Sequence, residues 1–242
     1  MPPNPFDYHR PAVAERFVGH GALVRDTVAD LLSGSNSFAI LGGRRCGKSS
    51  VLRAVHDELL RRRAGTQSGE RFAIPVLMSL HQLNDAQRES AGGVHRRPGE
   101  ELRGVLERDP WWRAERLPVP VQGNRAEAFD DLVVMVATAV AAANDSGFSV
   151  RVVFLVDELT CALGRSWTET FFENLRHLVY DSPVTNDLAL VVAGTPRCLD
   201  AQERGSPLFN ALETLDLDPL DEPSLRGLAA AAQGLDAAAV AA

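Results

Sequence analysis

The sequence predicts an α/β fold in which a parallel sheet is covered by helices on both faces. Three runs, residues 38–41, 152–156 and 188–193, are apolar throughout and read as strands buried on both sides. Between them lie segments whose apolar residues recur at helical spacing. Strand and helix therefore alternate along the chain, the order a parallel sheet needs because each parallel pair requires a crossover.

The elements follow in chain order. Residues 1–16 are proline-rich and polar and read as an extended arm. Leu23, Val24, Val28, Leu31 and Leu32 give residues 22–32 a helical stripe, and Gly34 and Asn36 punctuate it before the strand at 38–41. After a glycine-rich turn, Val51, Leu52, Val55, Leu59 and Leu60 share a helical face that ends in Arg61-Arg62-Arg63, cations suited to a helix C-terminus. Residues 72–77 form a second strand, which Pro75 pushes toward a sheet edge or a strand end.

Residues 79–126 read as an irregular insertion, rich in Gly, Pro and Arg, with one short helix near 100–107 and the pair Trp111-Trp112. Phe129, Leu132, Val133, Val136 and Val140 mark a helix over 127–143, and Phe171, Phe172, Leu175, Leu178 and Val179 another over 171–180. Residues 212–217 supply a fifth strand, and 229–242 an Ala-rich tail.

Acidic residues number 32 against 25 basic ones, a formal charge of −7, which disfavours general polyanion binding. With 45% apolar and 24% charged residues the composition is that of a folded domain. The longest apolar run, 132–143, is interrupted by Thr138 and falls short of the roughly 20 residues of a membrane span. The N-terminus lacks the basic lead and apolar stretch of a secretory signal, and three cysteines, Cys46, Cys161 and Cys198, share no metal-like spacing. A reduced, cytoplasmic chain is expected.

Lys48 is the only lysine, so the other 24 of the 25 basic residues are arginine. An ammonium is a compact point charge where a guanidinium is a broad fork, and a chain that keeps one ammonium keeps it where the fork will not serve. It lies in Gly42-Gly43-Arg44-Arg45-Cys46-Gly47-Lys48-Ser49, with Ser50 following, which fits G-x-x-x-x-G-K-[ST] between a strand and a helix. Glycines let the backbone curl round a phosphate with its N–H groups inward, and the next helix offers its positive end. Lys48 then reaches the β- and γ-phosphates, and the Ser49 hydroxyl serves as a Mg²⁺ ligand.

The strand at 152–156 runs into Asp157-Glu158, where a carboxylate meets the crevice at the strand ends of an open sheet. Asp157 is assigned to Mg²⁺, through water, and Glu158 to deprotonating an attacking water. The bland alternative is that the two acids only cap the next helix. Thr195, after the strand at 188–193, either hydrogen-bonds that water or the γ-phosphate, or is a turn residue before Pro196. Arg197 and Arg204 are candidate arginine fingers, with solvated surface arginines as the alternative.

Taken in order, Phe17-Val18-Gly19-His20, the phosphate loop, the acid pair and Ala193-Gly194-Thr195 resemble the STAND and archaeal-type branch of AAA-like P-loop ATPases. Glu173-Asn174-Leu175-Arg176, Ser206-Pro207-Leu208-Phe209-Asn210 and Leu217-Asp218-Pro219-Leu220 extend the resemblance over residues 17–228. It implies a three-layer P-loop NTPase sandwich, a sheet ordered 5-1-4-3-2, and adenine contacts near Val18 and Gly19, with His20 where the family has arginine. It also implies ATP and Mg²⁺ as ligands and an ATP-driven switch in a bacterial signalling or anti-phage defence system, acting on an effector or as a homo-oligomer. The family's helical lid and winged helix have no counterpart within these 242 residues. Two other readings stand beside this one: a nucleotide-gated scaffold with residues 79–126 and its tryptophans as the contact, and a DNA-associated AAA-like ATPase using Arg61–Arg63 and Arg96-Arg97.

Overall fold

A computed structural model describes residues 17–34, 36–66, 70–83, 91–120, 129–199 and 208–233. Its strands β1 (Phe38–Leu41), β2 (Arg71–Ser79), β3 (Ser149–Asp157), β4 (Leu188–Gly194) and β5 (Glu213–Asp216) form one parallel sheet in the order β2-β3-β4-β1-β5. Read from the other edge, this is the 5-1-4-3-2 order that the family resemblance implies. Pro75 lies in β2, an edge strand, where the missing N–H leaves no central ladder bond unmade.

Side chains alternate across the sheet, and each face has its own core. Val153 and Leu155 of β3 join Phe38, Ile40, Val191 and Ala193 beneath helices α1 (Gly21–Ser33) and α2 (Lys48–Arg63). Val152, Phe154 and Val156 join Ile74, Val76, Leu190 and Val192 on the opposite face. That side is covered by α3 (Ala91–Arg108), α4 (Pro110–Ala114), α5 (Phe129–Asp145) and α6 (Thr168–Tyr180). Helix α7 (Glu222–Gln233) follows β5 and crosses the residue 228/229 limit drawn from the sequence. Among the described residues no helix is long and apolar enough to cross a membrane.

Three features depart from the sequence reading. Residues 91–108 form one long helix, not a short one, because Val94, Leu102 and Leu106 are buried against the sheet and that burial outweighs Pro98 and the glycines. Trp112 is fully buried and donates its indole N–H to Pro118 O at 3.2 Å, while Trp111 packs edge-on to Phe72 and Phe148. Thus much of the stretch read as an irregular insertion packs on one face of the sheet, Trp111 against Phe72 of β2, and its tryptophans are packing residues, not interface anchors. Arg151, one residue ahead of the predicted third strand, is completely buried in β3. Its guanidinium donates to Leu31 O at 2.6 Å, to Gly34 O and to Leu188 O at 3.1 Å, tying the negative end of α1 to the sheet. Burial lowers its pKa to about 10, so it stays charged at neutral pH.

The terminal arginines of α2 are also more than dipole partners. Arg61 and Arg62 both reach Glu58, at 2.6 and 3.0 Å. Arg63 forms a two-pronged pair with Asp109, one arm at 2.8 Å, and its guanidinium lies over the Phe72 and Trp111 rings. Asp109 additionally accepts the Trp112 N–H at 3.0 Å as the N-cap of α4. Asp109→Ala leaves the buried Arg63 charge alone and uncaps α4, so a loss of about 3–5 kcal/mol is expected. At about 2–4 °C per kcal/mol, calorimetry should record a melting temperature lower by roughly 6–20 °C. A fall under about 3 °C would show that the pair holds nothing together.

His95 of α3 is 5% exposed, stacks on Phe171 and meets Phe129 edge-on. Burial pushes its imidazole below the ordinary 6.5. As the pH drops through about 6.5 the unfolded chain binds a proton that the folded chain refuses, so stability is lost beneath that value. The slope from one histidine is at most about 1.4 kcal/mol per pH unit. Urea unfolding between pH 7.5 and 5.5 should therefore show a shallower decline in His95→Phe than in the parent, and equal slopes would contradict this.

Candidate functional site

All five strands run in the same direction, so their carboxyl ends gather at one rim of the sheet. Leu41 of β1 sits opposite Gly194 of β4 on one side and Asp216 of β5 on the other. Across β4, Val192 is paired with Val156, which places Asp157 one strand away from the loop that follows β1. The glycine-rich loop and the acid pair thus flank a single strand, and Thr195 lies at that strand's tip. The Gly42 N–H donates to Gly194 O at 3.3 Å, fastening the loop to the same tip.

The loop itself is residues 42–47, and α2 starts at Lys48. Gly47, the residue before the helix, has φ 97°, a conformation that costs a side-chain-bearing residue about 1–2 kcal/mol. At Gly43, by contrast, an added Cβ would meet no atom of the described residues within 4 Å. Packing among the described residues does not account for its missing side chain. Arg44 and Arg45 are exposed, Cys46, Ser49 and Ser50 half-buried. The Lys48 ammonium lies inside the curl, donating to Gly42 O at 3.1 Å and Gly43 O at 2.5 Å, with Cys46 Sγ at 3.7 Å.

Asp157 ends β3 and accepts the Glu158 N–H at 2.9 Å. Glu158 is exposed, has φ 59°, and heads the turn at Leu159–Ala162 without making a side-chain capping bond. The capping alternative for this acid pair therefore fails for Glu158. Three of the four described non-glycine residues with positive φ, His20, Arg45 and Glu158, lie in segments singled out from the sequence, the fourth being Arg116. Backbone held in a sparsely populated region gathers where a side chain must be aimed.

Val18 and Gly19 border the start of α7. Val18 lies against Gly227, and Leu220 Cδ2 comes within 2.4 Å of where a Gly19 Cβ would stand. Asp221 beside them accepts from Ser224, and those bonds hold its carboxyl below the usual carboxylate range. Arg197 is exposed on the short turn after Thr195, and Arg204 lies outside the described residues.

One contact was not foreseen. The Thr160 hydroxyl accepts the Thr195 N–H at 2.9 Å and lies 3.2 Å from Thr195 Oγ1 and 3.5 Å from Cys198 Sγ. Its only sequence signal is a threonine three residues beyond the strand-end aspartate.

No protein-family model and no curated protein matches the chain. Solved structures do. A Walker-type ATPase of Pyrococcus abyssi matches with TM-score 0.57 and 16% identity over 94% of this chain and 62% of its own. The Aeropyrum pernix ORC2 protein, solved in ADPNP-ADP complexes, matches with TM-score 0.61 and 15% identity over 96% of this chain and 56% of its own. The ORC1 protein of the same organism, solved in complex with DNA, matches with TM-score 0.55 and 18% identity over 94% of this chain and 51% of its own. The fold is accordingly that of the P-loop NTPases, and the chain spans between about half and three fifths of the length of these structures.

Proposed function

We propose that this chain is an ATP-binding and ATP-hydrolysing switch domain. The observation that carries the reading is the placement of the only lysine, in a glycine loop with open space at Gly43, one strand from Asp157 and Glu158. Main-chain N–H groups of residues 43–48 cradle the phosphates at the positive end of α2. Lys48 releases the Gly42 and Gly43 carbonyls for the β- and γ-phosphates. A hydroxyl and a carboxylate suit a hard cation, so Ser49 and Asp157 would hold Mg²⁺, which when bound neutralises charge on the phosphate oxygens.

Glu158 accepts the proton of the attacking water, and Thr195 hydrogen-bonds that water or the γ-phosphate. Arg197 stands ready for the phosphate of a second copy. Val18 and Gly19, packed at the head of α7, border the base. An attached effector or a second copy would read the switch.

Mg²⁺-dependent phosphate release from ATP by the purified protein tests the reading. Turnover that chelation of the metal abolishes supports it, and ATP that stays intact overturns it.

The DNA-associated alternative rests on the ORC1 neighbour, which was solved with DNA. The arginines that motivated it are engaged internally: Arg61 and Arg62 with Glu58, Arg63 with Asp109, and Arg97 with Glu100 and Glu101. Together with the net charge of −7, this favours the switch.

A further inference from the structure

We infer that Thr160 is the positioning residue that aims the Thr195 hydroxyl into the phosphate crevice. The inference rests on the hydrolytic reading above and assigns a role to a residue outside the loop and the acid pair.

The argument begins with capacity. A threonine hydroxyl has one proton to give and two lone pairs to receive with. One lone pair of Thr160 takes the Thr195 N–H at 2.9 Å, which fixes the main chain of Thr195. Two contacts remain, Thr195 Oγ1 at 3.2 Å and Cys198 Sγ at 3.5 Å. A thiol donates weakly and accepts weakly, so it suits the second lone pair as well as it suits the proton.

What selects between those two arrangements is the crevice. A phosphate oxygen accepts and does not donate, so the Thr195 proton turns toward it when nucleotide is bound. Thr195 Oγ1 then offers its lone pair to Thr160, whose proton completes the set. All three groups are satisfied, and the Thr195 O–H points outward. Without Thr160, that hydroxyl is free to rotate and the N–H behind it loses its acceptor.

The close fit has a structural signature. A Cβ on Gly194 would come within 2.7 Å of Cys198 Sγ, so the approach of that thiol, which lies 3.5 Å from Thr160 Oγ1, to the tip of β4 depends on glycine there. The link also joins the turn carrying Glu158 to the strand tip bearing Thr195, so the acid and the hydroxyl share one frame.

The test uses Thr160→Val, which keeps the shape and removes the hydroxyl, and Thr160→Ser, which keeps the hydroxyl. Thr160→Val should lower kcat for phosphate release roughly tenfold to a hundredfold with KM for ATP within about twofold. Thr160→Ser should recover kcat to within about threefold of the parent. Because the two hydroxyls act as a unit, Thr160→Val/Thr195→Val should be no slower than Thr195→Val alone. A Thr160→Val enzyme that turns over like the parent, a serine variant that fails to rescue, or losses that multiply in the double variant would overturn the role while leaving hydrolysis standing. A parent protein that binds ATP and releases no phosphate overturns the hydrolytic reading and this role with it.

Discussion

Lys48→Ala is expected to remove ATP binding while leaving the fold intact. At ATP concentrations near a hundred times Kd, ligand binding stabilises the parent by about 2.7 kcal/mol, or roughly 5–11 °C in melting temperature for a chain of this size. The variant should show less than about 1 °C, because a charge-assisted contact to a phosphate is worth about 1.5–3 kcal/mol and the proposed function gives Lys48 contacts to both the β- and γ-phosphates. Among the described residues the ammonium bonds carbonyls of its own loop and the Cys46 thiol, all at a half-exposed position. Its removal should therefore move the unliganded melting temperature by less than about 2 °C. Differential scanning fluorimetry with and without ATP reads both quantities. Protection surviving in Lys48→Ala would mean that the lone lysine is not the phosphate ligand, and every role assigned around it would fall.

The sequence made the sheet legible for a specific reason. A strand covered on both faces needs apolar side chains at successive positions, so Val152 to Val156 and Leu188 to Ala193 stood out without any partner being known. The glycine-rich turn between β1 and α2 is legible because its signal is local, with glycines, lysine and serine close together in the chain. What stayed hidden depends on distance along the chain. Arg151 meets carbonyls 117 and 120 residues away, and Arg63 meets Asp109 46 residues away, so neither partnership leaves a periodic trace. The first turns of α3 are masked by local chemistry, since Pro98 and its neighbouring glycines disfavour a helix that the burial of Val94 sustains. Thr160 meets Thr195 35 residues away, a contact that exists only once the ends of β3 and β4 lie side by side.

Glu158→Gln is expected to lower phosphate release by roughly 10²- to 10⁴-fold while preserving protection by ATP. Glutamine keeps the volume and the left-handed backbone preference of the position essentially unchanged but cannot accept the water's proton as a carboxylate does. That backbone, at φ 59°, costs on the order of 1–2 kcal/mol, and no capping bond from the side chain offsets it. A position held at such a cost, with its carboxylate in solvent at the strand rim, is explained by where the side chain is aimed rather than by what it stabilises. The unliganded melting temperature of the variant should accordingly match the parent within about 1 °C. Measured together, ATP protection and phosphate release separate the two halves of the site: Lys48→Ala loses both, Glu158→Gln only the second. Undiminished release in Glu158→Gln would move water activation to another group, and loss of ATP protection would make Glu158 a binding residue instead of the base.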